Sequence, residues 1–219
     1  MNIMASELKK QRLIPLALTK SALITKRLLD VVGSISCLVA LSPVLAAISV
    51  AIKMDSRGQI YFKQTRVGKD GHLFTFYKFR TMVSDAEQQK EGLLGLNEAS
   101  GPIFKIRQDP RTTRLGSFLR KYSLDELPQF FNVLKGDMSL VGPRPPVPTE
   151  VAVYSALEMK RLLITPGITG LWQVNGRSDV PFEDMVQMDL EYMQNWSLLL
   201  DLKILLMTIP AVIFGKGAY

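Results

Sequence analysis

The chain has one cysteine and one histidine. Cys37 alone excludes an intrachain disulfide and a CxxC metal site, and it is compatible with a reducing compartment. His72 lies in Gly68-Lys-Asp-Gly-His72, which reads as a solvated turn. Any Ser-His or His-metal chemistry would have to use this one residue, and no supporting partner is evident beside it. There is no Walker A loop, Rossmann glycine fingerprint, zinc-ligand spacing or internal repeat. Acid is scarcer than base: 20 Asp and Glu against 27 Lys and Arg, a formal net charge of +7. That excess favours an anionic partner, whether nucleic acid, an acidic membrane face or a phosphorylated small molecule. At 47% hydrophobic and 21% charged, 219 residues can bury a core and do not read as disordered.

Residues 1–27 are basic and lack a small-residue cleavage site after a short apolar core, so a cleaved signal peptide is not expected. From Val31 to Ile52 no charge interrupts the chain. A straight helix of that length would be roughly 33 Å long, about one bilayer core. Ser42-Pro43 sits at its midpoint, where proline removes the bond to the carbonyl of Val39. Both flanks are basic, Lys26 and Arg27 before and Lys53, Arg57 and Lys63 after, so the positive-inside rule gives little asymmetry. A bent helix that re-enters the same face satisfies both observations, and so does a kinked spanning helix.

Gln59 to Arg66 and Leu73 to Met82 read as a strand hairpin around the Gly68–Gly71 turn. In the second strand Phe74, Phe76, Lys78 and Arg80 share a face, which makes Lys78 and Arg80 either a solvated edge or an anion-binding rim. A short helix is expected around Ser84–Glu91. Asp109-Pro110 opens a turn before a basic helix with Arg111, Arg114, Arg120 and Lys121, a face that is solvated or lies on a membrane surface. A helix over Pro148–Leu163 and a tight turn at Thr165–Gly170 follow. Next comes a helix over Pro181–Asn195 bearing Asp189, then an apolar stretch, Trp196–Phe214, that is interfacial or buried. Several short helices, few strands and one membrane segment indicate an α-rich, irregular α/β domain. The divisions are a basic segment at 1–27, a membrane helix-break-helix at 28–54 and a domain at 55–219 that the resemblance given below would make catalytic.

The densest chemistry lies between Leu115 and Pro146, where Asp125 and Glu126 follow Arg120 and precede Gly142-Pro-Arg-Pro-Pro146. Ser123-Leu-Asp-Glu126 fits a capping box, in which the acids serve only a helix N-terminus. Pro128 complicates that register. Neighbouring helical positions point about 100° apart, so one carboxylate can face a substrate while the other turns to a metal.

KRLLD, the Ser-Pro-centred apolar run, FKQTRVG, FTFYKFRTM, RKYSLDELPQFFNVLKGDMSLVGPRPP, ITPGITGLWQVNGR and NWSLLLDLKILL occur in this order. From Lys26 to Tyr219 the chain resembles the bacterial sugar transferase family, the monotopic phosphoglycosyl transferases. The resemblance implies transfer of a sugar-1-phosphate from a UDP-sugar to polyprenyl (undecaprenyl) phosphate, starting a surface polysaccharide or glycoconjugate. It also implies a re-entrant helix bent at Ser42-Pro43, membrane lipid as a partner, Mg2+, and the cytoplasmic face of the bacterial inner membrane as location. Asp125 would be the nucleophile, with Glu126, and Asp125 with it, on the metal. Lys78, Arg80, Arg120 and Arg144 would bind phosphate, and Arg177 the substrate. Asp189 matches a recurring acid whose role the sequence does not give. Some relatives carry extra membrane helices and a further domain, so this chain reads as a minimal or truncated form. The GPIFKIRQDPRTTRLG and GLWQVNGRSD wording points to glucose or galactose. A membrane-tethered basic module binding anionic lipid or nucleic acid explains the charge but not the acid pair beside GPRPP, so nucleic acid is not an expected partner. Hydrolysis of a nucleotide sugar would need only water as acceptor. Homo-oligomerisation is left open.

Overall fold

A computed structural model describes residues 19–215 and 217. The basic residues Lys9, Lys10 and Arg12 fall outside the described residues. Helix α1 spans Lys20–Ala40, and α2 spans Ser42–Asp55, bent from it by 62°. The break has a local cause. Pro43 has no N–H for the carbonyl of Val39, and the Ser42 hydroxyl donates to that carbonyl instead, at 2.8 Å. Among the described residues no single helix is long and apolar enough to cross a membrane; the bent pair is, by length and composition.

The helix α1 is inside out. Leu28, Leu29, Val32, Ile35 and Val39 are exposed, while Asp30 and Ser34 are buried. Asp30 accepts from Ser139 Oγ at 3.0 Å and from the Leu140 amide at 2.9 Å. Arg27 donates to the carbonyls of Val133 and Leu134 at the end of α5 (Gln129–Lys135), a cation at a helix C-terminus. Lys26 pairs with Asp201 at 2.6 Å. The boundary drawn at residue 27 therefore falls inside a helix already fastened to the core.

Strands β1 (Tyr61–Val67) and β2 (Leu73–Phe79) form the expected antiparallel hairpin. Phe74 and Phe76 pack on Val133 and Met138, while Phe79 turns to Ile48, Ile52 and Leu119. A short α3 (Ala86–Gln89) runs into a 3-10 segment, Glu91–Leu96. Helix α4 (Arg114–Lys121) starts at Thr113, whose hydroxyl accepts from the Gly116 amide at 2.9 Å.

Two expectations are corrected. Thr165–Gly170 is not merely a turn: β4 (Gly167–Thr169) pairs in parallel with β3 (Ser139–Val141). A Cβ on Gly167 would lie 2.0 Å from the Gly142 nitrogen, so only glycine permits this approach. The helix over Pro148–Leu163 is broken into α6 (Pro148–Val151) and a 3-10 segment, Glu158–Leu163. The Glu158 carboxylate accepts the Ser155 amide and the Ser155 hydroxyl accepts the Glu158 amide at 3.4 Å, the reciprocal pair of a helix start, so a new segment begins there.

Helix α7 (Leu171–Asn175) leads to α8 (Phe182–Gln194) and α9 (Leu198–Phe214). Tyr192, Met193, Trp196 and Ile204 form the main core with Val141 and Leu163. Asp201 is fully partnered there, by Lys26, Tyr192 at 2.7 Å and Trp196 at 3.3 Å. The other face of α9 exposes Leu199, Leu202, Leu206, Ile209 and Ile213, a helical stripe. So α9 is buried on one side and apolar outward on the other. The described structure is α-rich with two two-stranded sheets.

Candidate active site

The acids sit in the turn between α4 and α5. Ser123 is left-handed (φ 52, ψ 22), Leu124–Glu126 form one 3-10 turn, and Pro128 precedes α5. The capping box is therefore not formed. Ser123 caps no amide, and its hydroxyl accepts from Arg177 Nη2. Asp125 is buried, and neither its carboxylate nor that of Glu126 hydrogen-bonds to a described residue.

Both acids line an open cleft of about 1040 Å³ with Lys78, Arg120, Arg144 and Arg177. Burial pushes Glu126 up to about 7, and the Asp125 charge adds to this against Lys78, Arg177 and Arg144. Burial also brings Lys78 down to about 8, with Asp125 opposing. Arg120 is lowered by burial, and its Nε donates to Thr81 Oγ1 at 2.9 Å. Arg144 is aimed by Glu150, at 3.2 Å and 3.4 Å to its two oxygens. Glu150 is itself buried and accepts the Val147 amide at 3.1 Å. The arrangement places a carboxylate pair among guanidinium and ammonium groups that can hold phosphate oxygens.

The family described as Bacterial sugar transferase matches residues 21–215. The chain belongs to the bacterial sugar transferase family. It is 48% identical over 199 residues to "Galactosyl transferase CpsE" of Streptococcus agalactiae, covering 90% of this chain and 44% of that protein. It is 42% identical over 200 residues to "Exopolysaccharide production protein ExoY" of Sinorhizobium fredii, covering 90% and 88%. It is 45% identical over 208 residues to "Undecaprenyl-phosphate galactose phosphotransferase" of Salmonella typhimurium, covering 91% and 43%. The chain thus spans less than half the length of two of these relatives and most of the third.

Two of the residues expected at the site lie away from the cleft. Arg80 follows β2 and turns back to α2. Its Nη1 donates to the Arg57 carbonyl at 2.6 Å and its Nη2 to the Ser56 carbonyl at 2.8 Å. It is thus a fastener for the exit from α2, not an anion-binding rim. Asp189 is buried on α8 and pairs with Arg161 at 2.7 Å. Burial lifts it to about 6 despite Arg161.

Two cations of the cleft carry no signal from spacing alone. Arg66, at the end of β1, donates to the Pro145 carbonyl at 2.8 Å and lies 5.0 Å from the Phe76 ring centre. Its Nε is buried without a described partner, and burial lowers the side chain to about 9. Lys105 donates to Ser178 and is brought down by burial to about 8. Both stand within motif runs of the family, FKQTRVG and GPIFKIRQDP, which is where a signal lay.

Among the described residues no group of three or more His, Cys, Asp or Glu could hold a metal ion. Magnesium needs less from the protein, commonly one or two carboxylates with substrate phosphate and water. Adjacent Asp125 and Glu126, lacking hydrogen bonds to described groups and repelling one another, fit such a donor set.

Proposed function

We propose that this chain moves a sugar-1-phosphate from a UDP-sugar to polyprenyl phosphate in two displacements at Asp125. An Asp125 oxygen forms a bond to the phosphorus bearing the sugar. The bond from that phosphorus to the bridging oxygen breaks, and UMP leaves with the electron pair. A phosphate oxygen of the polyprenyl acceptor then attacks the same phosphorus and expels the Asp125 carboxylate, giving the polyprenyl diphosphate sugar. A carboxylate nucleophile splits one difficult displacement into two.

The observation that carries this reading is the carboxylate pair, Asp125 buried and Glu126 half-buried, that lines one cleft with Lys78, Arg120, Arg144 and Arg177. Anions must approach an anionic nucleophile there, and fixed cations offset the developing charge without reorganising. Arg144 gives a guanidinium fork whose direction Glu150 sets. Arg66 and Lys105 add positive charge. Glu126 with Asp125 would hold Mg2+, which would supply neutralisation of the phosphate charge.

The cleft walls also include Leu41 at the helix break and Ala211 and Val212 on α9. Its mouth is therefore flanked by the two helical units whose outer faces are apolar, which suits an acceptor with a phosphate head and an isoprenoid tail. We place the bent pair in the bilayer as a re-entrant unit, with the cleft on the cytoplasmic face of the bacterial membrane. Galactose or glucose is the sugar this reading favours, since relatives carry "galactose phosphotransferase" and "glucose phosphotransferase" in their names.

The test uses purified protein in nanodiscs with Mg2+ and a panel of UDP-sugars, without acceptor. Expected are UMP and a phosphosugar mass adduct on the native protein, both absent from Asp125→Asn. An adduct that persists in that variant would remove Asp125 as nucleophile. Product formation only with acceptor present, and never an adduct, would replace two displacements by one.

A further inference from the structure

Arg177 meets Ser123 at the rim of the cleft, and both have left-handed backbones, φ 55 and 52. Among the described non-glycine residues only Asp70, in the hairpin turn, also has positive φ. Residues with a Cβ avoid this region unless their surroundings hold them there. Here the holding groups are visible. Arg177 Nη2 donates to the Ser123 hydroxyl, and Arg177 Nη1 donates to the Ala211 carbonyl of α9 at 3.2 Å. The Ser123 amide donates to the Arg120 carbonyl at 3.0 Å, and the Ser123 carbonyl accepts the Glu126 amide at 3.2 Å. Ser123 is thus the pivot between a cleft cation and the acid pair. With right-handed φ at Ser123, α4 would run on through the acids and carry them round its surface at about 100° per residue. The left-handed residue stops that helix and starts the short turn that puts Asp125 in the cleft.

We propose that Arg177 is a positioning residue acting through Ser123. It braces the left-handed Ser123 from the Ala211 carbonyl and so sets the direction of Asp125, rather than serving chiefly to grip substrate. The inference rests on the reading of Asp125 as nucleophile. It also links α9, whose outer face is apolar, to the geometry of the first displacement.

The test compares Ser123→Gly, Arg177→Lys and the double substitution in nanodiscs. Adduct formation is followed in single turnovers with Mg2+ and the preferred UDP-sugar, alongside KM and Tm. Glycine takes positive φ freely and removes the side chain that Arg177 reaches, hydroxyl and Cβ together. Lysine keeps the charge but cannot reach two acceptors as a fork does. Ser123→Gly is expected to keep or raise Tm while adduct formation slows roughly 10- to 100-fold at unchanged KM. A purely structural serine would move rate and Tm together. Arg177→Lys is expected to slow the same step, and the double variant to be no slower than the slower single, since both remove one contact. Native rate in Ser123→Gly overturns the proposal. So does Arg177→Lys with a raised KM and an intact rate, which marks a substrate clamp. A native protein that forms no adduct sinks the two-step reading itself, and the positioning role with it.

Discussion

Asp189 offers the sharpest way to separate structure from chemistry. It lies outside the cleft, and Arg161 closes on it at 2.7 Å with the two side chains 4% and 1% exposed. Removing one partner leaves a buried unpaired charge, which costs about 3–5 kcal/mol. At about 2–4 °C per kcal/mol for a chain of this size, Asp189→Asn should lower Tm by roughly 6–20 °C. The pair itself is not a large net stabiliser. Asp189 stands at about 6, raised because burial disfavours its charge more than Arg161 favours it. A carboxyl raised from 3.8 contributes stability fully present below its unfolded pKa and lost as pH rises through about 6. Replacing both charges by apolar groups should therefore recover the loss. Arg161→Met with Asp189→Leu suits the site, because the Tyr154 and Phe182 rings pack about the guanidinium at 5.9 Å and 5.8 Å. The assay is a thermal melt in nanodiscs at fixed scan rate, with adduct formation measured on the folded fraction. The reasoning predicts a destabilised single variant and a double variant with native Tm and native rate. A double variant that melts normally but forms no adduct would refute it and make Asp189 part of the chemistry.

Glu126 and the helix break give two more expectations. Glu126 is raised from 4.5 to about 7, so its favourable contribution is present below its unfolded pKa and is lost as pH rises through about 7. Glu126→Gln should then raise Tm at pH 8 in metal-free buffer, by a few degrees for ~1–3 kcal/mol, with the gain mostly gone by pH 5; equal melting at pH 8 would show that Glu126 is charged and satisfied. At the break, Pro43→Ala with Ser42→Ala restores an N–H for the Val39 carbonyl and removes the hydroxyl that replaces it. Cysteines flanking Lys26 and Lys53 should label from one side in the native background and, for part of the population, from opposite sides in the variant. Opposite-side labelling in the native background would rule out re-entry.

What the sequence disclosed depended on how local each cause was. The break at Ser42-Pro43, the hairpin and helices α8 and α9 follow from proline chemistry and periodicity, which act within a few residues. The capping box failed for the opposite reason. Ser123 obeys the local pattern, but a guanidinium 54 residues away takes its hydroxyl and Pro128 starts the helix later. Gly167–Thr169 carries turn residues, yet its pairing with Ser139–Val141 decides its state, and that pairing is invisible without the fold. Lys78, Arg120, Arg144 and Arg177, named from the family resemblance, line the same cleft as the acids. Arg80 does not, because the carbonyls of Ser56 and Arg57 at the exit from α2 take its guanidinium, a contact that no strand pattern shows. Arg66 and Glu150 were missed because one is a strand residue among similar ones and the other acts only by aiming Arg144.

On the proposed function, the first helix makes anchoring and catalysis one construction. Its outward face is apolar, and its three inward charged residues are spent on fastenings. Lys26 closes on Asp201 and the Val141 carbonyl, Arg27 caps α5, and Asp30 takes Ser139 and the Leu140 amide. These contacts hold α9 and β3, and they hold the C-terminal end of the helix that follows the acid pair. Arg80 ties the far end of α2 to β2, two residues beyond Lys78. The bent pair is thus clamped at both ends to elements that bear cleft residues. An anchor tethered by a flexible linker would fix distance from the bilayer but not direction. An anchor fastened in this way fixes both, which the proposed attack by Asp125 and transfer to a lipid-borne acceptor would require.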